Sequence, residues 1–118
     1  MEDSAELCLV VKALVCRLSN AVEWKSFEVS RRIRHALSAE GLTPEGILRD
    51  LRDFVRGNGE VQQVVENRPE WKAERTYYYR AILPVPCYRL GLFVEMILAD
   101  DDPDVPYVVL VNAHEQLR

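Results

Sequence analysis

Four side chains in the second half of the sequence, Tyr78, Arg80, Glu95 and His114, are of the types that bind phosphate and move protons. Tyr78 and Arg80 are two positions apart, so an extended chain turns both to the same side. Glu95 sits in the run Leu92-Phe93-Val94-Glu95-Met96-Ile97. A lone carboxylate there must reach water or a partner, because burying an unpaired charge is costly. His114 follows the run Tyr107–Ala113, and imidazole is a side-chain type that can serve as either acid or base. On antiparallel neighbours the four could converge on one solvated face. Metal-independent RNA cleavage needs such a set: a base for the 2′-hydroxyl, an acid for the leaving oxygen and a cation for the phosphorane. Arg80 would then bind the phosphate while His114 or Glu95 exchanges protons. The same residues equally describe an amphipathic sheet whose polar face meets water through cross-strand Arg–Glu pairs.

A second group is basic. Residues 31–35 read Arg31-Arg32-Ile33-Arg34-His35, so Arg31, Arg32, Arg34 and His35 are candidates for contact with RNA phosphates; Arg49, Arg52 and Arg56 follow further on. The net charge of −4 argues against a chain that coats nucleic acid without specificity. Asp100-x-Asp102-x-Asp104 resembles the start of a calcium loop, but Val105 stands where glycine is needed and Val111 where glutamate is needed. A solvated turn is the expectation. The glycines form no phosphate-cradling loop, and no serine has a nucleophile-elbow setting. Cys8, Cys16 and Cys87 make no C-x-x-C pair, and buried reduced thiols are expected. Neither a metal nor a cofactor is expected.

The elements that must position these groups follow from periodicity. Leu7, Val10, Val11, Leu14 and Leu18 form a helical stripe over about Ala5–Leu18, with Asp3 and Glu6 spaced as a capping box, although the valines leave a strand open. Ser26 can cap a second helix with Phe27, Ser30, Ile33 and Leu37 on one face, ended by Gly41. A third begins at Thr43-Pro44, carries Ile47, Leu48, Leu51, Phe54 and Val55, and stops at Gly57-Asn58-Gly59. There the period changes from 3.6 to 2. Strands are expected over Glu60–Glu66, Arg75–Leu83, Leu90–Ala99 and Tyr107–Ala113. Pro84 to Arg89 is expected outside the sheet, because proline donates no ladder hydrogen bond. The predicted fold is α+β, with N-terminal helices packed on one face of a four-stranded antiparallel sheet, in one domain over residues 1–118.

The segments "HALSAEGLTPEGILRDL", "ERTYYYRAIL" and "VVLVNAH" in this order, with a long apolar strand before the last, resemble small toxin-like domains of the RelE/MqsR type. The resemblance spans roughly Arg32 to His114. It implies a metal-independent domain directed at RNA, in a superfamily that includes many mRNA interferases. The rival expectation is a non-catalytic interaction module, an immunity, antitoxin-like or adaptor component that binds a cognate protein through a sheet edge or helix face. A homo-oligomer stays open. The apolar run Leu7–Val15 is interrupted by Lys12 and is too short to span a bilayer, so a cytoplasmic chain with no membrane partner is expected.

Overall fold

A computed structural model of the chain describes residues 4–15, 22–24, 31, 33–35 and 37–117. The first element is a helix, α1 (Ser4–Val15), rather than a strand. Val10, Ala13 and Leu14 are buried, with Leu7 and Val11 packed beside them, which is the stripe that helical spacing demands. A short strand β1 (Val22–Trp24) follows. Arg31, Ile33, Arg34, His35 and Leu37 are helical, with Ile33 and Leu37 buried and the other three exposed. The proposed cap Ser26, together with Phe27, Ser30 and Arg32, lies outside the described residues, as does Leu18. A 3-10 turn over Ser38–Glu40 closes at Gly41, whose φ of 74° suits a residue without Cβ.

Helix α2 (Pro44–Arg56) has both ends chemically marked. Thr43 Oγ1 accepts from the Gly46 amide at 3.0 Å, and proline occupies the first position, where no amide is needed. At the other end Asn58, not glycine, takes the left-handed conformation at φ 68°. Its amide and that of Gly59 donate to the carbonyls of Val55 and Phe54, which satisfies the last turn as a Schellman motif. Ile47, Leu51 and Val55 are buried.

The rest is sheet: β2 (Gln62–Val65), β3 (Tyr77–Val85), β4 (Tyr88–Asp100) and β5 (Tyr107–Glu115). The order is β1-β5-β4-β3-β2. Two expectations are corrected here. The sheet has five strands and is mixed, because Val22–Trp24 pairs parallel with Val108–Leu110. Three residues are too few to show a period of 2, so this edge strand left no pattern in the sequence. Pro84 also belongs to the sheet. It lies beyond Arg80, the last residue paired to β2, and at the break in β3–β4 register between Leu83 and Val85, so its missing amide interrupts no regular ladder. Val85, Tyr88 and Arg89 are in strands as well, which leaves Pro86 and Cys87 as the turn.

Alternation sorts the strand side chains. Tyr79, Ala81, Leu83, Leu92, Val94, Met96, Val108, Leu110 and Ala113 join the buried residues of α1 and α2 in one apolar cluster. Tyr79 is fully buried, and its hydroxyl donates to Glu6 of α1 at 2.7 Å and accepts from Gln63 at 3.0 Å. Among the described residues no helix is long and apolar enough to cross a membrane. Cys8 and Cys87 are exposed, contrary to the expectation of buried thiols, because they fall on the outer side of α1 and at the β3–β4 turn; Cys16 is outside the described residues.

Gly91 sits where β4 passes the end of β3, at φ 92°, and a Cβ there would lie 2.6 Å from the Leu83 carbonyl oxygen. Gly41 has similar backbone but open space around it. Gly41→Ala should therefore cost about 1 kcal/mol of backbone strain, and Gly91→Ala about 2–4 kcal/mol, since backbone must also shift. Urea denaturation of the two variants checks this, and an equal or smaller loss at Gly91 would contradict the close approach.

Candidate functional site

The sheet face opposite the apolar cluster carries the residues that alternate with it. On β3 these are Tyr78, Arg80 and Ile82, on β4 Phe93, Glu95 and Ile97, and on β5 Asn112 and His114. Register aligns Arg80 with Glu95 and Asn112 in one row, and Ile82 with Phe93 and His114 in the next. All four side chains read as chemical candidates thus share this face.

Arg80 and Glu95 stand opposite each other but do not pair. Arg80 turns toward β2, where its Nε donates to Gln62 Oε1 at 2.6 Å. Glu95 is claimed instead by Arg68, from the β2–β3 connection. Arg68 Nη2 reaches Glu95 Oε2 at 2.9 Å, and Nη1 reaches Oε1 at 3.3 Å. The same guanidinium holds Glu66, through Nε to Oε2 and Nη2 to Oε1, both at 2.8 Å. Arg75 adds a third arginine–carboxylate contact, Nε to Glu66 Oε1 at 2.9 Å. Arg68 lies 4.6 Å above the centre of the Tyr78 ring, and Arg75 lies 4.8 Å from that of Trp71.

Glu66 has no exposed side-chain area, so its charge depends on these partners. The Arg68 hydrogen bonds, opposed by burial and helped by Arg75, bring its carboxyl from 4.5 down to about 2. The Glu66 and Glu95 carboxylates in turn push the Arg68 guanidinium pKa up. The backbone bond from the Glu66 amide to the Thr76 carbonyl, at 2.8 Å, closes the connection at its base. Sequence reading treats Asn67-Arg68-Pro69-Glu70 only as a turn and misses Glu66, Arg68 and Arg75. The available signal was the isolated acid Glu95 in an apolar strand, which required a cation, with two arginines flanking the nearest loop.

His114 is exposed and stacks on Phe93, with ring centres 4.7 Å apart and planes 20° from parallel. Its Nδ1 is 2.9 Å from the Glu115 carbonyl oxygen. A carbonyl can only accept, so a hydrogen bond here is one that Nδ1–H donates, and in the neutral ring that tautomer has its lone pair on Nε2. At the β1 end of the sheet, Tyr107 is pushed up to about 12 by burial and by its hydrogen bond to Glu23.

The basic group lies elsewhere. Arg31, Arg34 and His35 are exposed on the helical segment whose Ile33 and Leu37 enter the apolar cluster. Arg34 is paired with Glu45 at 3.2 Å. These residues are not brought to the open sheet face, and the structure gives two separate candidate surfaces. In the Asp100–Pro106 turn, the Asp100 and Asp102 carboxylates cap the amides of Asp102 and Asp104 at 3.0 and 2.9 Å. No family model matches the sequence, and comparison with curated proteins and with solved structures returns no match.

The buried acid sets an acid dependence. Glu66 has a folded pKa below its unfolded value, so its contribution is full above about 4.5 and is lost as pH falls toward about 2. Allowing for the partial exposure of Arg68, this is worth about 2 kcal/mol. Glu66→Gln should be less stable at pH 7 by about 3 kcal/mol, and its stability should fall less steeply than wild type between pH 5 and 2. Urea midpoints across that range measure it; parallel pH profiles would refute the clasp.

Proposed function

We propose that this chain is an RNA-directed, toxin-like domain that cleaves RNA without a metal, with the open sheet face as its contact surface. The observation that carries the reading is His114: a stacked, exposed imidazole with Nδ1–H anchored on a backbone carbonyl and Nε2 left free to take a proton. In this reading Nε2 removes the proton of a ribose 2′-hydroxyl, and the oxygen attacks the adjacent phosphorus. The 5′-oxygen leaves and takes a proton from the imidazolium, giving a 2′,3′-cyclic phosphate and a 5′-hydroxyl. Arg80 stabilises the phosphorane. Its terminal nitrogens make no hydrogen bond or ion pair among the described residues, since only Nε is engaged. Strand spacing puts the Cα atoms of Arg80 and His114 about 12 Å apart, a gap that a nucleotide and an arginine side chain together can fill. The edge of the Phe93–His114 stack offers a base a surface to stack on.

Glu95 and Tyr78 take different parts from the one suggested by residue type. Both Glu95 oxygens accept from Arg68, which disfavours proton transfer, and the Tyr78 ring lies under the same guanidinium. They hold the β2–β3 connection against the sheet beside Arg80 and so act as positioning residues.

A second reading, a non-catalytic protein-interaction module, is favoured by the other end of β3. There Phe54, Ile82, Pro84, Tyr88 and Leu90 line an open groove of about 750 Å³, with Leu90 48 % exposed.

Incubation of wild type and variants with a mixed-sequence RNA in EDTA tests the proposal. Wild type should cut and leave cyclic-phosphate ends. His114→Ala should be slower by about 100-fold or more with its melting temperature held, and Arg80→Ala should be impaired. Equal rates for wild type and His114→Ala would remove His114 from the chemistry. No cleavage by wild type, with a tightly bound protein partner, would favour the second reading.

A further inference from the structure

On the outer side of α2, away from the open sheet face, Glu45, Leu48, Arg49, Arg52, Asp53 and Arg56 line a shallow groove of about 450 Å³. Arg49, Arg52 and Arg56 are spaced three and four residues apart, which puts them on one stripe of the helix. Their hydrogen-bonding capacity is largely unspent. Arg52 is partly buried, and its Nε is wholly buried with no acceptor. Among the described residues Arg52 makes no hydrogen bond and no ion pair. Arg49 comes only to 3.8 Å of Asp50, and Arg56 gives one Nη2 contact to the Val15 carbonyl at 3.2 Å. Of the two acids in the groove, Glu45 is already held by Arg34, which leaves Asp53 as the competing carboxylate.

A desolvated guanidinium donor without an acceptor is costly, and native structures normally supply one. We infer that the groove around Arg52 binds a phosphate group, with Arg52 as its central ligand and Arg49 and Arg56 at its sides. A rotation of the Arg52 side chain brings its shielded Nε–H edge to the groove, where the planar fork suits a tetrahedral oxyanion that takes Nε–H and Nη–H together. The site does not depend on the RNA reading of the sheet face. The phosphate could come from a free phosphate or from an RNA backbone, and both present the same oxygens.

The test uses the full chain, labelled with nitrogen-15, and follows the arginine Nε–Hε resonances during titration with inorganic phosphate and, separately, with a short oligouridylate. The Arg52 resonance should move to saturation, at an ionic strength held constant with chloride. Saturation by oligouridylate at lower concentration identifies a backbone phosphate as the ligand, and saturation by inorganic phosphate alone identifies a free one. Asp53→Asn should tighten binding by about threefold or more, as expected when a like charge beside the anion is removed. Arg52→Gln should abolish the shifts at Arg49 and Arg56 while keeping the melting temperature. No movement of Arg52 with either ligand, or no effect of Asp53→Asn, would overturn the site. Oligouridylate that moves His114 and Phe93 but leaves Arg52 still would overturn this site alone and leave the sheet-face reading standing.

Discussion

Glu66 is a carboxylate with no exposed side-chain area, buried with Glu95 beside an otherwise apolar interior, and much of the candidate face is arranged around keeping it charged. An isolated buried carboxylate would protonate or force the fold open. Arg68 prevents this by gripping Glu66 with two nitrogens while its remaining edge reaches Glu95. One guanidinium thus ties the end of β2 to the middle of β4, across β3. Tyr78 supports it from below, and Arg75 closes the far side of Glu66. Arginine suits this task because its donors lie in a fixed plane; a lysine could not satisfy two carboxylates with the same geometry.

The clasp has a consequence for chemistry. Because Arg68 takes Glu95, the cross-strand partner Arg80 is released toward Gln62 and keeps its outer nitrogens open. The face therefore holds one committed cation and one available one, beside an imidazole with a defined tautomer. Buried ion networks of this kind add little net stability over apolar packing, but breaking one partner is expensive. Its retention fits a role in holding side chains in place.

Much of the fold was legible because it follows from local chemistry. Thr43-Pro44 opens α2, and the period changes at Gly57–Gly59 where the helix ends. The four longer strands stand where alternation puts them, with no end displaced by more than two residues. β1 was not legible, since three residues carry no period and their pairing with β5 is set by tertiary packing. Tyr78, Arg80, Glu95 and His114 could be assigned to one face, because alternation fixes the side once the strands are known. Which of them pair could not be read. Register opposes Arg80 to Glu95, yet a loop arginine 27 residues away in sequence makes the bond. Loop residues have no periodicity to announce such a role. Their part is visible only once the chain has folded.

In the proposed function, the open face around His114 meets RNA through an imidazole whose free nitrogen is Nε2. Long-range nitrogen-15 correlation spectra of the histidine rings, recorded in EDTA with and without a non-cleavable 2′-methoxy oligonucleotide, address it directly. Free His114 should be the Nδ1–H tautomer. Its Nε2 should shift on binding, together with Phe93, Asn112 and Arg80. An Nε2–H tautomer, or oligonucleotide binding that leaves these four residues unmoved, would contradict it.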